Sequence, residues 1–344
     1  MKFYVAPMEG ITGYIFRNAL AQFFKEGIDK FYTPFLVPCE KRALSAKERG
    51  EVLTSNNAGL NVVPQILSID SGDFTRLKKE LRELGYSEVN LNLGCPSRTV
   101  ASKGRGAGAL ADIDALDRLL DGIFAEDDKE ISVKTRIGID NPSEFSSIMK
   151  VYEKYPIKEL IIHPRTLHEQ YGGKPHVDEF IKEVMSTEIG ANIGPKTNTG
   201  ANKIACSCTK ICYNGDICSK EDYENLEALF KGQNKDVSAS HENHRVNAVM
   251  IGRGILKNPG LIREINTGVA ATNDEIGDFL NKLLNDYGDV FSGERPVLFK
   301  MKEIWSYLRT RYPDKEKEIK KLIKCKSIAE YKVMQNVILR TYVN

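Results

Sequence analysis

Long apolar runs are missing from this 344-residue chain. No segment reaches the 18 or so uninterrupted apolar residues that would mark a membrane-spanning helix. The first residues, MKFYVAPMEG, hold no apolar signal core with a small-residue cleavage site, and they run straight into a strand-like segment. A disulfide framework is missing too. Seven cysteines is an odd number without framework spacing, which points to free thiols in a reducing cytoplasm. No G-x-G-x-x-G directly follows the first strand-like run, so the fingerprint of a dinucleotide-binding open sheet is lacking. An excess of one charge sign is lacking as well: 49 Lys/Arg against 47 Asp/Glu leave +2. Taken whole, that balance argues for no particular partner. What is present, 41% hydrophobic and 28% charged residues, is the composition of a globular protein and excludes a disordered chain.

The average hides a split. Residues 294–344 carry thirteen Lys/Arg and six Asp/Glu, a net +7, which leaves −5 for the other 293 residues. Such a split hints at a polyanion-binding end. A solvated helical face is the plain alternative.

Eight short β-branched or apolar runs recur: 3–6, 31–35, 61–66, 88–92, 131–135, 159–163, 211–214 and 248–252. Helical patterns lie between several of them. Phe74, Leu77, Leu81 and Leu84 form one stripe, and Leu116, Leu119, Leu120 and Ile123 another. Eight strands alternating with helices over about 250 residues predict a (β/α)₈ TIM barrel of the α/β class. Past residue 272 the strand signal stops. Stripes at Ile276–Tyr287 and Leu298–Tyr312, with a last helix over 327–342, predict a small all-helical domain. The expected division is a catalytic barrel over 1–270 and a helical domain over 271–344. Two polar, aperiodic stretches, 187–209 and 232–246, read as surface loops.

The ends of the strands carry the polar residues. In a barrel these ends converge on one mouth, where active sites are built. Strand one ends in Pro7-Met8-Glu9-Gly10, and strand three in Pro64-Gln65. Strand four ends in Asn90-Leu91-Asn92, followed by Gly94-Cys95-Pro96. Strand five ends in Lys134-Thr135-Arg136, and strand six in His163-Pro164-Arg165-Thr166. The last two end in Asn214-Gly215-Asp216 and Gly252-Arg253-Gly254. The final pair suits the usual phosphate site of a phosphorylated cofactor: glycines let backbone N–H groups approach, and Arg adds charge-assisted bonds. Gln65 and Asn92 offer amides suited to a flat heterocycle with imide edges. Lys134 would set a positive charge beside an anionic ring nitrogen, and His163 could donate to the same region.

Cys95 is the sharpest single residue. A thiol on a Gly-Cys-Pro loop at a barrel mouth could be a nucleophile, helped by a lowered pKa, or a general acid, kept protonated by an ordinary one. No triad-like partner spacing accompanies it, which favours the acid. The loop continues with Arg98, Lys103 and Arg105 through a glycine-rich run that lacks the Gly-Lys-Ser/Thr of a P-loop. It reads as a flexible basic loop able to hold a phosphate backbone near the thiol. Arg136 and Arg165 would add to a positive rim.

In this order, APMEGIT, VNLNLGCPSRTVASKGRGAGAL, VKTRIG, HPRT, YNGDI and MIGRG resemble the tRNA-dihydrouridine synthases. The resemblance covers about residues 3–264 and, more loosely, the helical end. It implies an FMN-containing barrel that reduces uridine in tRNA with NADPH. Pro7, Met8 and Glu9 would line the flavin. Gln65, Asn92, Lys134 and His163 would contact its ring or ribityl chain. Asn214, Gly215, Asp216, Gly252 and Arg253 would hold its phosphate end. Hydride would pass from flavin N5 to uracil C6 while Cys95 protonates C5, with the base flipped from its stack. Arg98, Lys103, Arg105, Arg136 and Arg165 at the mouth, and Lys320, Lys321 and Lys324 in the tail, would hold tRNA phosphates. No obligate protein partner is evident.

Departures from the family pattern cluster before strand seven, where the chain is longer and carries Cys206, Cys208, Cys212 and Cys218. Their C-x-C-x₃-C-x₅-C spacing matches no regular zinc or iron–sulfur pattern, so no metal is expected. His241 and His244 read as solvated. The competing functions are a flavin barrel acting on a free pyrimidine or other small ene substrate, and a non-catalytic RNA-binding barrel. The basic loop and tail count against the first, and the intact Cys95 motif against the second.

Overall fold

The computed structural model describes residues 1–38, 44–126, 128–187, 189, 209–232 and 246–340. Its strands are β1 (Lys2–Val5), β2 (Lys30–Tyr32), β3 (Val62–Val63), β4 (Gln65–Ile66), β5 (Val89–Leu93), β6 (Ile131–Arg136), β7 (Glu159–His163), β8 (Lys210–Tyr213) and β9 (Val246–Ile251). They form one sheet in the order β3-β2-β1-β9-β8-β7-β6-β5-β4, and every pairing is parallel. β3 and β4 are two halves of one strand, broken at Pro64, which has no N–H to give a ladder. β3 pairs with β2 and β4 with β5, so the broken strand closes the sheet into an eight-position barrel. All eight expected runs occupy these positions.

Helices between the strands form the outer layer, and their starts are written locally. Asp70 caps the helix Ser71–Glu83 by accepting the Asp73 N–H at 2.7 Å. Asp112 caps Ile113–Ile123 through the Ala115 N–H at 2.9 Å. Both expected apolar stripes are buried against the barrel apart from Leu84, which caps the end of its helix half-buried.

Side-chain alternation decides what fills the barrel. Tyr4, Ala6, Tyr32, Val63, Ile161, Cys212, Ala248 and Met250 form an internal apolar cluster. Below it lies a charged floor. Glu159 accepts the Tyr4 hydroxyl at 2.7 Å and pairs with Lys30 at 2.9 Å, while Glu88 pairs with Lys30 at 3.0 Å and Lys158 at 2.9 Å. The barrel is therefore packed at its lower end, and the strand C-termini are left to build a site.

The C-terminal segment folds as four helices, Asn273–Val290, Glu294–Leu308, Glu316–Lys324 and Ile328–Leu339. Thr272 and Glu275 form a capping box at the first. Phe279 of that helix meets Phe16 and Phe24 of the helix Tyr14–Phe24 at ring distances of 5.8 and 5.9 Å. One hydrophobic core thus runs from the barrel's outer layer into the helical segment. The expected stripe to Tyr312 is shorter as a helix: it stops at Leu308, because Pro313 disfavours helical backbone at Tyr312. Tyr312 is buried nonetheless, 6.0 Å from the Trp305 ring. The helix Glu316–Lys324 was not expected from the pattern.

The loops expected at 187–209 and 232–246, with Cys206, Cys208, His241 and His244, lie almost wholly outside the described residues, as does the end of the last helix past residue 340. No described helix is long and apolar enough to cross a membrane.

Candidate active site

A cavity of about 840 Å³ opens where the strands end. It is lined by Pro7, Met8 and Glu9 after β1, Gln65 of β4 and Asn92 of β5. Cys95 and Arg98 follow β5, Lys134 and Arg136 belong to β6, and His163 ends β7. Asn214, Gly215 and Asp216 after β8, with Gly252 and Arg253 after β9, complete the circle.

An amide ladder crosses the wall. Asn90 Nδ2 donates to Ser132 Oγ at 3.0 Å, Gln65 Nε2 to Asn90 Oδ1 at 2.8 Å, and Asn92 Nδ2 to Gln65 Oε1 at 2.7 Å. Asn92 Oδ1 then accepts the backbone N–H groups of Gly94 and Cys95, at 3.1 and 2.9 Å. The ladder follows from register, since Gln65 is paired with Asn90, and Asn92 with Lys134. It fixes the Cys95 loop with no help from the ligand. Gln65 and Asn92, which line the cavity, each keep a second amide N–H for one.

The glycine run after Cys95 is not a flexible loop. It folds as a short helix, Arg98–Ala101, and a 3₁₀ turn, Gly106–Ala111. The Ala107 N–H donates to the Cys95 carbonyl at 3.1 Å. Gly106 has φ +57°, and a Cβ there would sit 2.8 Å from that same carbonyl. The glycines serve close packing against the thiol loop. Arg98 and Lys103 are exposed and Arg105 half-exposed, so this end of the rim is basic as expected.

Burial pushes the Cys95 thiol up, against the opposing pull of the Ser97 N–H, Lys134 and Arg136. The group is a protonated thiol at neutral pH. Lys134 makes no hydrogen bond or ion pair among the described residues. Burial, with Arg136 beside it, pushes its amine down to about 8. Burial and the cations Arg136, Lys134 and Arg165 hold His163 well below the usual imidazole range, so its ring is neutral. His163 Nδ1 lies against the Asn214 carbonyl. The single ring proton therefore belongs on Nδ1, and Nε2 is an acceptor 3.5 Å from Arg165 Nη1.

Arg136 and Arg165 are not rim residues. Arg136 is buried, donating to the Gly94 carbonyl at 2.9 Å and the Thr166 carbonyl at 2.7 Å. Arg165 is fully buried and does not line the cavity. It holds both Asp216 oxygens, at 3.0 and 2.6 Å, and the carbonyls of Gly172 and Gly173, at 2.9 and 2.7 Å. Arg253 pairs with the same Asp216. Burial alone would raise the Asp216 carboxyl, but the two guanidiniums hold it below the usual range. Two cations around one anion leave this end of the cavity with a net positive charge.

Tyr171, Glu303 and Tyr307 are among the lining side chains that escaped the sequence reading. The Tyr171 ring lies beneath two guanidiniums, Arg253 at 4.8 Å and Arg136 at 5.6 Å. Glu303 and Tyr307 come from the helix Glu294–Leu308, whose Lys300 donates to the Gly10 carbonyl of the β1 loop. Tyr171 follows the HPRT motif and could have been found there. Nothing local marks Glu303 or Tyr307. Cys212 is buried in the barrel interior, whereas Cys218 lines the cavity with the Lys257 amine 3.5 Å from its sulfur. Among the described residues no group of three or more His, Cys, Asp or Glu could hold a metal.

The family model for dihydrouridine synthase matches residues 4–190, more than half of the chain. The chain belongs to the dihydrouridine synthase family. Curated relatives include a probable tRNA-dihydrouridine synthase of Staphylococcus aureus strain COL, 28% identical over 262 residues, covering 75% of this chain and 69% of its own. Another is the probable tRNA-dihydrouridine synthase 2 of Bacillus subtilis strain 168, 27% identical over 259 residues, covering 75% and 70%. Among solved structures, morphinone reductase aligns over 81% of this chain and 88% of its own, at 11% identity and a TM-score of 0.49.

The segment matched to the synthase family holds Cys95, Lys134 and His163, while the β8 and β9 ends lie beyond it. The residues present fit FMN. The Lys134 amine, without a hydrogen-bond or ion-pair partner among the described residues, lines the cavity with amides that keep spare N–H groups, which suits a flavin ring. Arg253, with Gly252 before it, offers the charge and close approach that a phosphate requires. A Cβ on Gly252 would lie 3.3 Å from Ala6 and 3.6 Å from Met8 Sδ.

Proposed function

We propose that this protein reduces the C5–C6 double bond of uridines in tRNA, giving dihydrouridine, with FMN resident in the barrel mouth and NADPH as reductant. The observation that carries the reading is Cys95: a protonated thiol, held by Asn92 at the cavity wall, with Lys134 among the same lining residues. That is the arrangement of a proton donor rather than a nucleophile.

When bound, FMN supplies the reducing equivalents that uracil C6 receives. Cys95 Sγ–H delivers the proton to C5, completing the addition of two hydrogens. Lys134 keeps its proton once an anionic group lies beside it and so stabilises that charge. The Gln65 and Asn92 amides and the His163 ring would meet the polar edge of the flat ligand. Arg253, Gly252 and the Asn214–Asp216 turn hold its phosphate, with Arg165 positioning Asp216 from behind. Pro7, Met8 and Glu9 close the cavity from β1.

The uridine must leave its stack to reach a thiol inside a cavity. Arg98, Lys103 and Arg105 are placed to meet the phosphates around it. Lys320, Lys321 and Lys324 are exposed on the helix Glu316–Lys324 and give the helical segment its basic face. The reading assigns catalysis to residues 1–270 and tRNA holding to 271–344, in the cytoplasm, with no obligate protein partner.

The test has two steps. Purified protein is expected to be yellow with FMN. Incubation with NADPH and unmodified tRNA, followed by digestion and mass spectrometry, should show uridine gaining two hydrogens. Cys95→Ala should abolish most of that gain while NADPH still reduces the bound flavin. Turnover of free uridine with none of tRNA would instead favour the small-substrate flavin barrel.

A further inference from the structure

The helix Glu294–Leu308 carries a line of side chains from the cavity to the outer surface. Tyr307, Glu303, Phe299 and Arg295 are spaced four residues apart, so they follow one another along one side of the helix. Tyr307 and Glu303 line the cavity. Phe299, the next outward, is 65% exposed, the most exposed of the large hydrophobics among the described residues. Its neighbour Lys300 reaches the Gly10 carbonyl at the barrel mouth, with its amine 5.8 Å from the Phe299 ring centroid. The ring therefore stands close beside the mouth. Arg295, one turn further, is exposed and makes no ion pair among the described residues.

Most of the Phe299 ring is left in water, with the Lys300 amine as its one recorded cation contact among the described residues. An aromatic face beside an unpaired cation, at the entrance of a cavity that takes one base, suits a nucleobase with its phosphate. We infer that Phe299 is a stacking platform for an unpaired nucleobase next to the target uridine, with Arg295 taking a phosphate of the same strand. The inference rests on the tRNA reading proposed above. It makes the helical segment part of substrate positioning at the mouth, beyond a remote basic handle. A base held on Phe299 fixes the strand one step from the cavity, and Glu303 and Tyr307 then form the wall along which the target enters.

The test uses the full-length protein with FMN and a tRNA known to be a substrate. Phe299→Ala and Phe299→Leu should each raise the KM for tRNA about tenfold, with kcat nearly unchanged, while Phe299→Trp keeps the wild-type KM. Phe299→Trp also supplies a probe. The one natural tryptophan, Trp305, is fully buried, so saturable quenching by tRNA reports the new indole ring. An unchanged KM in Phe299→Ala, full function in Phe299→Leu, or emission from the Phe299→Trp variant that tRNA leaves unquenched overturns the inference, since each removes stacking as the contact. Wild-type protein that leaves uridine unreduced in every tRNA tested would sink the underlying reading instead.

Discussion

Asn92 Oδ1 accepts the backbone N–H of Cys95 at 2.9 Å, which ties the thiol loop to the barrel wall before any ligand arrives. The same side chain is held by Gln65, so its aim does not depend on solvent. Asn92→Ala should free the loop and lower single-turnover uridine reduction about tenfold to a hundredfold. FMN binding, which keeps its other contacts, should weaken less than turnover falls. Undiminished turnover would show that the loop is held by the glycine packing alone.

Burial keeps the Cys95 thiol protonated above neutral pH. A donor must carry its proton, so the single-turnover rate should be flat through neutral pH and fall as pH rises through the thiol's raised value. Cys95→Ser, with a far less acidic hydroxyl, should be slower and should lose the alkaline limb. A rate that climbs with pH would instead indicate a thiolate nucleophile.

Lys134 links the cofactor to stability. Its folded value near 8 lies below the unfolded value of about 10.4, so the charged amine weakens the FMN-free fold at neutral pH. That penalty fades as pH rises from about 8 through about 10.4. Lys134→Met should therefore stabilise FMN-free protein at pH 7, on the order of 2 kcal/mol, and lose the advantage above about pH 10. The same variant should bind FMN more weakly. Denaturant melts of both proteins across that range, with and without FMN, read both effects.

Arg165 was expected at the rim and is instead the buried tie between Asp216 and the Tyr171 loop. Arg165→Ala should destabilise the fold by about 1–3 kcal/mol, because it removes the donor from two carbonyls and leaves Asp216 paired with Arg253 alone. Arg165→Ala with Asp216→Asn should recover part of that loss. If Arg165 only held RNA phosphates, stability would not change and tRNA affinity alone would fall.

The basic tail should act through free charge. Lys320 is paired with Glu316 at 2.7 Å, whereas Lys321 and Lys324 make no ion pair among the described residues. Charge reversal of Lys321 and Lys324 should weaken tRNA binding and flatten its salt dependence more than reversal of Lys320. Equal binding at every salt concentration would confine recognition to the barrel mouth.

Several of these residues were readable in the chain and several were not. Eight strand positions followed from short apolar runs, because a strand's period and its terminators are local. Cys95, Lys134 and the Gly252–Arg253 turn followed because strand ends share one mouth in any such barrel. Pro64 was visible, but not the break it makes, since that depends on which neighbours each half meets. His163 was visible at a strand end, but not the Asn214 carbonyl against its Nδ1, which lies 51 positions away.

The sequence by itself determined the barrel, the family, the thiol and the charge split between barrel and tail. These rest on local periodicity, on motifs of contiguous residues and on counting. Tertiary structure alone decided that Arg136 and Arg165 are buried ties, that Tyr171 lies under two guanidiniums, and that Glu303 and Tyr307 wall the cavity. Lys300 meets Gly10 across 290 positions. No local pattern encodes such an encounter, because it arises only when the helical segment and the barrel share one core.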